Sequence, residues 1–196
     1  MTTQSPELVR TVGGRLVPAP GTWLFESGNS AIAFTVKHLM ISKVRGAFRE
    51  FSGRIVVAEN PEQSSVVAEI AAASIDTGLA FRDRDLRGPD FLDAERYPHL
   101  VYRSRTVQPV GGAWRIDGDL TIAAVTRSVP LEMQFGGVAV DPWGHAKAVF
   151  TATTELVRED FGLVYNQTIE GGGVLIGSKV SIELEIQAKP EEHQVA

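Results

Sequence analysis

The sequence predicts an all-β protein, an antiparallel barrel or sandwich of about eight strands or more. Short runs alternate apolar and polar residues with period two, as in 30–37, where Ile32, Phe34 and Val36 are separated by smaller or polar residues. Turn-forming residues such as Asn60-Pro61 separate these runs. A single segment, 78–96, is highly charged and lacks β-branched residues. The strands predicted from the alternating runs have one face in an apolar interior and one face in water.

Strands are expected near 22–26, 30–37, 44–50, 51–58, 65–74, 100–107, 113–122, 128–136, 145–157 and 179–188. Between the fifth and the sixth of these, the segment 78–96 is predicted to form a partly helical insertion. Pro89 suits the first position of a short helix, followed by Asp90 and Asp93 in the first turn. An insertion of this kind is either a functional lid or a charged cap on the barrel end.

The 196 residues correspond to one domain. Residues 1–20 are interrupted by Pro and Gly and are expected to be an extended tail, 21–188 to be the barrel, and 189–196 to be a second tail. The N-terminus lacks a basic start followed by an apolar run, which leads us to expect a cytoplasmic protein.

Composition argues against several function classes. The net charge is −5, with no basic stripe, so nucleic acid and strongly anionic membranes are not expected as partners. No uncharged run approaches the ~20 residues that span a bilayer, so stable membrane insertion is not expected. Cysteine is absent, which excludes disulfides and a thiol nucleophile.

No motif for catalysis, metal or nucleotide binding is complete. The four histidines are never paired at metal-ligand spacing, and no G-x-S-x-G elbow occurs. The glycine run at 171–177 is not a P-loop, because Ser178 precedes Lys179 and an alternating strand follows. We therefore predict no catalytic residue, no metal site and no required cofactor.

The inward parity of the strands suggests an internal cavity. Small residues such as Ala68, Ala72, Ala148 and Ala152, together with inward glycines, stand beside larger apolar ones. Either they leave room for a ligand, or they accommodate taper and strand bending. The residues predicted to face the cavity are Phe34, Val36, Ile70, Tyr102, Trp114, Met133 and Phe150.

From about Thr22 to Gln187 the chain resembles the YceI-like family of bacterial polyisoprenoid-binding proteins. The resemblance rests on the order and spacing of several pieces, among them Phe34-Thr35-Val36-Lys37-His38, Val44-Arg45-Gly46-Ala47-Phe48, Ser74-Ile75-Asp76-Thr77, Arg82-Asp83-Arg84-Asp85-Leu86, Asp90-Phe91-Leu92-Asp93, Gly118-Asp119-Leu120-Thr121-Ile122 and Arg158-Glu159-Asp160-Phe161-Gly162.

The resemblance implies a lipocalin-like barrel with an apolar tunnel for a long isoprenoid chain, such as a polyprenyl phosphate or diphosphate or a quinone tail. It also implies a homodimer. His38, Arg82, Asp83 and Arg158 match polar family positions that we place at the tunnel mouth. Each has a structural alternative: His38 ends a strand, Arg82 and Asp83 form a solvated pair, and Arg158 fixes a corner with Asp160.

The sequence departs from the family at Ala123-Ala124, where a glycine is common. Alanine is costly in a tight turn that needs positive φ, so another turn geometry is expected there.

Three functions fit these observations. The first is a carrier or storage protein for an isoprenoid lipid. The second is an enzyme acting on a lipid or small apolar substrate, with His38 as general base and Asp83 or Glu95 as its orienting partner. The third is a stress-related scaffold with a filled core and no continuous cavity.

Overall fold

The computed structural model describes residues 8–39, 41–168 and 174–191. Its one α-helix is α1, Ala80–Arg87, and short 3₁₀ turns occupy Ser27–Asn29, Pro61–Gln63, Ala72–Ser74 and Arg158–Phe161. The strands are β1 Val9–Val12, β2 Arg15–Pro18, β3 Gly21–Phe25, β4 Ala31–His38, β5 Ser42–Phe48, β6 Phe51–Val57, β7 Ser65–Ala71, β8 Ile75–Asp76, β9 His99–Val110, β10 Ala113–Ile122, β11 Val125–Val140, β12 Ala146–Val157 and β13 Ile176–Pro190.

The molecule is a closed antiparallel barrel of eight strands, which confirms the predicted fold class. Three barrel strands are each formed by two consecutive pieces, β3 with β4, β5 with β6, and β7 with β8. The strands follow in chain order around the barrel, and β13 closes it by pairing with β12 on one side and with β3 and β4 on the other. β10 shows the predicted period, with buried residues alternating with half-buried or exposed ones along it.

The up-and-down order of the strands places the connections alternately at two ends. One end, called the mouth end, carries the β4–β5 turn, the segment 77–98, the β10–β11 turn and the segment between β12 and β13. The opposite end, called the far end, carries the remaining turns and the N-terminal hairpin β1–β2. Both long connections of the barrel therefore lie at the mouth end.

Residues 8–20 are not an extended tail, as the sequence predicted, but contain the hairpin β1–β2. Gly13 and Gly14 form its two-residue turn with φ of +57° and +76°, the geometry of a type I′ turn. Arg10 donates to the Ala58 carbonyl (2.7 Å) and Arg15 to the Gly111 carbonyl (2.6 Å), so the hairpin packs on the far end. Residues 1–7 lie outside the described residues.

Two further boundaries differ from the sequence prediction. The second tail starts later than predicted, because β13 continues to Pro190, which pairs with Trp23; residues 192–196 lie outside the described residues. The helix covers only Ala80–Arg87 of the predicted insertion. The prediction that Pro89 begins a helix is wrong, because the helix ends before Pro89 and turns follow it. The glycines of the 171–173 run lie outside the described residues.

The turn at Ala123-Ala124 corrects the expectation of a different geometry. Ile122 pairs with Val125, which leaves a two-residue loop, and Ala123 takes a φ of +51°. Alanine thus occupies the left-handed region that usually holds glycine. No helix among the described residues is long and apolar enough to cross a membrane.

Candidate ligand-binding site

The interior holds a cavity of about 410 Å³ that extends from the middle of the barrel to the mouth end. Its wall is formed by inward residues of the strands, such as Leu120 and Ile122 of β10 and Ile182 and Leu184 of β13. Nearly all lining side chains are apolar or aromatic, and the exceptions are His38, Arg82, Asp85, Thr154 and Arg158. A volume of this size is within the range of small-molecule sites, ~300–1,000 Å³.

The far end of the barrel is packed. Trp23, Val107 and Ile116 are buried there, and the rings of Phe135 and Phe150 stand 5.3 Å apart. This packing gives the cavity a closed floor and a single polar end.

The placement of the predicted cavity residues is mixed. Phe34, Val36, Ile70 and Tyr102 line the cavity. The other three, Trp114, Met133 and Phe150, pack in the far half of the barrel and do not line it. Alternation identifies the inward face of a strand, but it carries no information about height along the barrel axis, and these three residues stand at the filled level.

The three inward glycines, Gly46, Gly53 and Gly118, do not leave empty space. Each is covered by an aromatic ring from a neighbouring strand, and all three rings line the cavity. An added Cβ would stand 2.4 Å from Cζ of Phe34 at Gly46, 2.5 Å from Cε2 of Phe25 at Gly53 and 2.5 Å from Cζ of Tyr102 at Gly118. The glycines therefore let large rings lie flat against the wall, which keeps the bore open.

The four predicted small positions behave differently from one another. Ala68 lines the cavity, whereas Ala72, Ala148 and Ala152 are buried in packed regions away from it. Only Ala68 is therefore a position where a larger side chain would enter the bore.

Tyr102 brings a polar group to the cavity wall. Its hydroxyl lies 3.1 Å from the carbonyl oxygens of both Ile116 and Val129, which share its one donor hydrogen. Burial raises the pKa of Tyr102 well above its usual value. The phenol is thus neutral and already hydrogen-bonded.

Arg82 and His38 are two of the polar side chains that line the cavity at the mouth end. Arg82 donates from Nε to Oγ1 of Thr77 (2.7 Å) and from Nη2 to the Thr77 carbonyl (3.0 Å). His38, the last residue of β4, lines the cavity, and its ring makes no hydrogen bond with a residue that the structure describes. These two side chains are available to a polar group that enters the mouth.

Asp83 does not line the cavity. It is buried, and its Oδ1 accepts the backbone N–H (2.8 Å) and the hydroxyl (2.6 Å) of Thr77. Since Thr77 also binds Arg82, the two predicted mouth residues are joined through one threonine rather than paired in solvent. The role of Asp83 is to fix the start of α1.

Arg158 lines the cavity but is engaged with the protein itself. It is buried and donates to the carbonyls of Gly177 (3.1 Å), Tyr165 (3.0 Å) and Leu163, and Nη2 pairs with Glu159 (3.2 Å). The expected corner therefore forms with Glu159, not with Asp160. Arg158 ties the segment after β12 to the start of β13.

The two long connections meet over the mouth. The rings of Phe91 and Tyr165 stand 5.2 Å apart, and both residues line the cavity. The Leu39 N–H donates to the Leu175 carbonyl (2.9 Å), which joins the β4–β5 turn to the same region. Sequence reasoning did not select these loop residues, because an isolated aromatic residue in a connection has no period that marks it as inward.

The arrangement expected for acid–base chemistry does not form around His38. Asp83 is engaged with Thr77, and Glu95 is exposed and away from the cavity lining. Among residues 8–39, 41–168 and 174–191, no group of three or more His, Asp and Glu side chains is placed to hold a metal ion.

Comparison with known proteins gives consistent matches. The model of the YceI-like domain matches residues 23–188. A UPF0312 protein of Ectopseudomonas mendocina is 34% identical over 154 residues, 78% of this chain and 81% of that protein. Protein YceI of Escherichia coli O157:H7 is 36% identical over 139 residues, 70% of this chain and 73% of its own length.

Solved structures share the fold. Burkholderia cenocepacia BcnA, 21% identical, covers 83% of this chain and 98% of its own with a TM-score of 0.73. The Campylobacter jejuni YCEI protein, 28% identical, covers 80% and 90% with a TM-score of 0.68. A domain from Saccharophagus degradans, described as polyisoprenoid binding, is 13% identical and covers 88% and 100% with a TM-score of 0.63.

Proposed function

The chain belongs to the YceI-like family, and from this premise we propose that its cavity binds the hydrocarbon chain of an isoprenoid lipid, which the protein carries or stores. The observation that carries the proposal is the cavity of about 410 Å³, apolar along the barrel and polar only toward its mouth. A neighbour in structure, the Saccharophagus degradans domain, is described as polyisoprenoid binding.

The chemistry of the wall suits this ligand class. A hydrocarbon chain gains about 0.8 kcal/mol for each methylene moved from water into an apolar site, so a long tail needs no specific polar contact for affinity. The cavity also disfavours the alternative of a scaffold with a filled core. The absence of an enzymatic activity, the homodimer and the cytoplasmic location stay predictions.

Blocking the bore tests this proposal. Ala68→Phe places a ring in the cavity, and we expect at least about tenfold weaker binding of geranylgeraniol, since a tenfold loss corresponds to about 1.4 kcal/mol, less than two methylenes. Val67→Phe, on the outer face of the same strand, is the matched control. Binding is measured by titration and native mass spectrometry, and folding by circular dichroism.

Val180→Phe blocks the same cavity from β13 and covers the case in which Ala68→Phe does not fold. A wild-type protein that binds no geranylgeraniol, or folded blocked variants that bind it as well as the wild type, would contradict the proposal.

We propose further that the head of the lipid lies beside Arg82 and His38. Arg82 uses Nε and Nη2 for Thr77, which holds the guanidinium at the wall with Nη1 left to face a phosphate or a quinone oxygen. Arg158 is not part of this proposal, since its donors are engaged with carbonyls and Glu159.

Arg82→Ala distinguishes the contribution of the lipid head to binding from that of the hydrocarbon tail. Loss of a hydrogen bond to a charged group costs about 1.5–3 kcal/mol, so geranylgeranyl diphosphate should bind about 10- to 100-fold more weakly while geranylgeraniol changes little. Arg84→Ala on the same helix, whose side chain is exposed and does not line the cavity, is the control. Equal losses for both ligands would show that Arg82 shapes the mouth without reading the head.

A further inference from the structure

Exposed apolar side chains occur at both ends of the barrel, and one group of them surrounds the mouth. We define the mouth rim as the five residues Leu39, Ile41, Leu79, Phe81 and Val164, which are all exposed; Ile41 is 90% and Phe81 60% accessible. They lie in the β4–β5 turn, at the start of α1 and in the segment after β12. The rim therefore belongs to three separate connections of the mouth end.

The rim adjoins the cavity opening. Leu39 follows His38, Phe81 precedes Arg82, and Val164 stands between Leu163 and Tyr165, and each of these neighbours lines the cavity. The Leu39 N–H also binds the carbonyl of Leu175, another lining residue. At Leu163, Val164 and Tyr165, apolar and aromatic side chains thus follow one another from the cavity lining to the exposed rim, whereas the lining neighbours of Leu39 and Phe81 are the polar His38 and Arg82.

The charge beside this rim is opposite to that of the whole chain. The chain carries −5, but residues 31–48 contain Lys37, Lys43 and Arg45 and no Asp or Glu. Lys37 and Lys43 are direct partners across the β4–β5 pair, and like charges in that position are unfavourable. None of the three forms an ion pair with a residue of the described ranges.

The neighbouring helix adds to the basic side. Arg84 and Arg87 are exposed on α1. Of the two acids on that helix, Asp83 is buried against Thr77, and Asp85 is exposed. The β4–β5 hairpin and α1 together present apolar side chains at the rim and cations around it.

We propose that the mouth rim docks on the surface of an anionic lipid bilayer, with the cavity opening against the membrane. Apolar side chains flanked by Lys and Arg are the chemistry of peripheral binding, because the former enter the acyl boundary and the latter contact anionic head groups. This use of the surface rests on the proposed function: an isoprenoid chain resides in a bilayer and would pass along continuous apolar surface into the cavity. The whole-chain charge of −5 does not reveal the basic β4–β5 hairpin, because residues 31–48 contain no Asp or Glu.

The test uses the full chain and vesicles without isoprenoid, so that it is independent of cavity binding. Vesicles of phosphatidylcholine with an equal share of phosphatidylglycerol should co-sediment the protein, and vesicles of phosphatidylcholine alone should do so several-fold less. Ile41→Glu with Phe81→Glu should lower binding at least about tenfold, since a charge then replaces each inserted side chain. Trp143→Glu is the matched control, as Trp143 is 80% accessible at the far end.

Lys37→Glu with Lys43→Glu provides a second variant that leaves the apolar rim intact. Its binding to the vesicles that contain phosphatidylglycerol should fall about tenfold or more, because two attractive charges become repulsive. Geranylgeraniol binding of all variants is measured in parallel. If the wild type binds vesicles but no geranylgeraniol, the proposed function is wrong and docking on a bilayer stands.

Three results would overturn docking on a bilayer. The wild type would fail to sediment with anionic vesicles, or Trp143→Glu would lose as much binding as the rim variant. Alternatively, light scattering would show a dimer that the rim substitutions convert to a monomer without any vesicle binding, and the occupant of the rim would then be a second copy of this chain.

Discussion

At the scale of single residues, two arginines that line the same cavity have different tasks. Arg158 is buried and donates to three backbone carbonyls and to Glu159. Arg82 is half-buried and attached only to Thr77. A charged group with all its partners in the protein stabilises a loop, whereas one with a remaining donor can take part in recognition.

Ala123 is a second residue whose role depends on local geometry. Its φ of +51° is costly for a residue with a Cβ. Ala123→Gly removes this strain but adds chain entropy to the unfolded state, so we expect a net gain of about 0.5–1 kcal/mol. For a domain of this size the gain corresponds to a rise in Tm of about 1–4 °C, measured by calorimetry.

Ala124→Gly is the matched control for this change. Ala124 is not among the residues with positive φ, so glycine there should lower Tm slightly through chain entropy alone. Equal shifts at both positions would contradict the strain argument.

At the scale of elements, the N-terminal hairpin and α1 occupy opposite ends of the barrel. The hairpin contributes Val17, 3% accessible, to the core, and its Arg15 guanidinium lies 5.8 Å from the ring centroid of Trp114. The helix α1 and the segments around it form part of the cavity lining at the mouth end. The two ends are therefore open to separate tests.

Deleting residues 2–18 should lower the stability of the barrel without changing the affinity of the cavity for geranylgeraniol. Burial of one side chain such as Val17 contributes about 1.5–3 kcal/mol, so we expect Tm to fall by roughly 3–12 °C. Geranylgeraniol affinity should stay within about twofold of the wild type at a temperature where the variant is folded, since no hairpin residue lines the cavity. A folded variant that has lost this binding would place the hairpin in the site.

At the scale of the whole molecule, the barrel is divided into a packed far half and a hollow half. Large side chains such as Trp23 and Phe150 fill the first, and the second ends in polar and exposed apolar residues. Because the far half is packed, the hollow half lies toward the mouth end. The mouth rim and the basic β4–β5 hairpin lie at the end of the hollow half, and this arrangement is the basis of the proposed membrane contact.

The sequence by itself determined the fold class and most strand positions, because period-two alternation and turn residues are local signals. The family followed from the resemblance of several motifs in their order and spacing. Phe34, Val36, Ile70 and Tyr102 were assigned to the wall on parity alone, and the structure places them there. The hairpin β1–β2 was also readable from Gly13-Gly14 between two short apolar runs, a signal that the prolines around it obscured.

Only the tertiary structure decided which inward residues face a cavity and which polar groups remain free. Height along the axis depends on strand tilt and register around the closed barrel, so Trp114 and Phe150 share their parity with wall residues but stand in the packed half. The partners of Arg158 include carbonyls of an irregular connection, Leu163 and Tyr165, which has no period to predict its path. Gly46, Gly53 and Gly118 lie beneath rings of neighbouring strands, and local sequence patterns do not predict such contacts between strands.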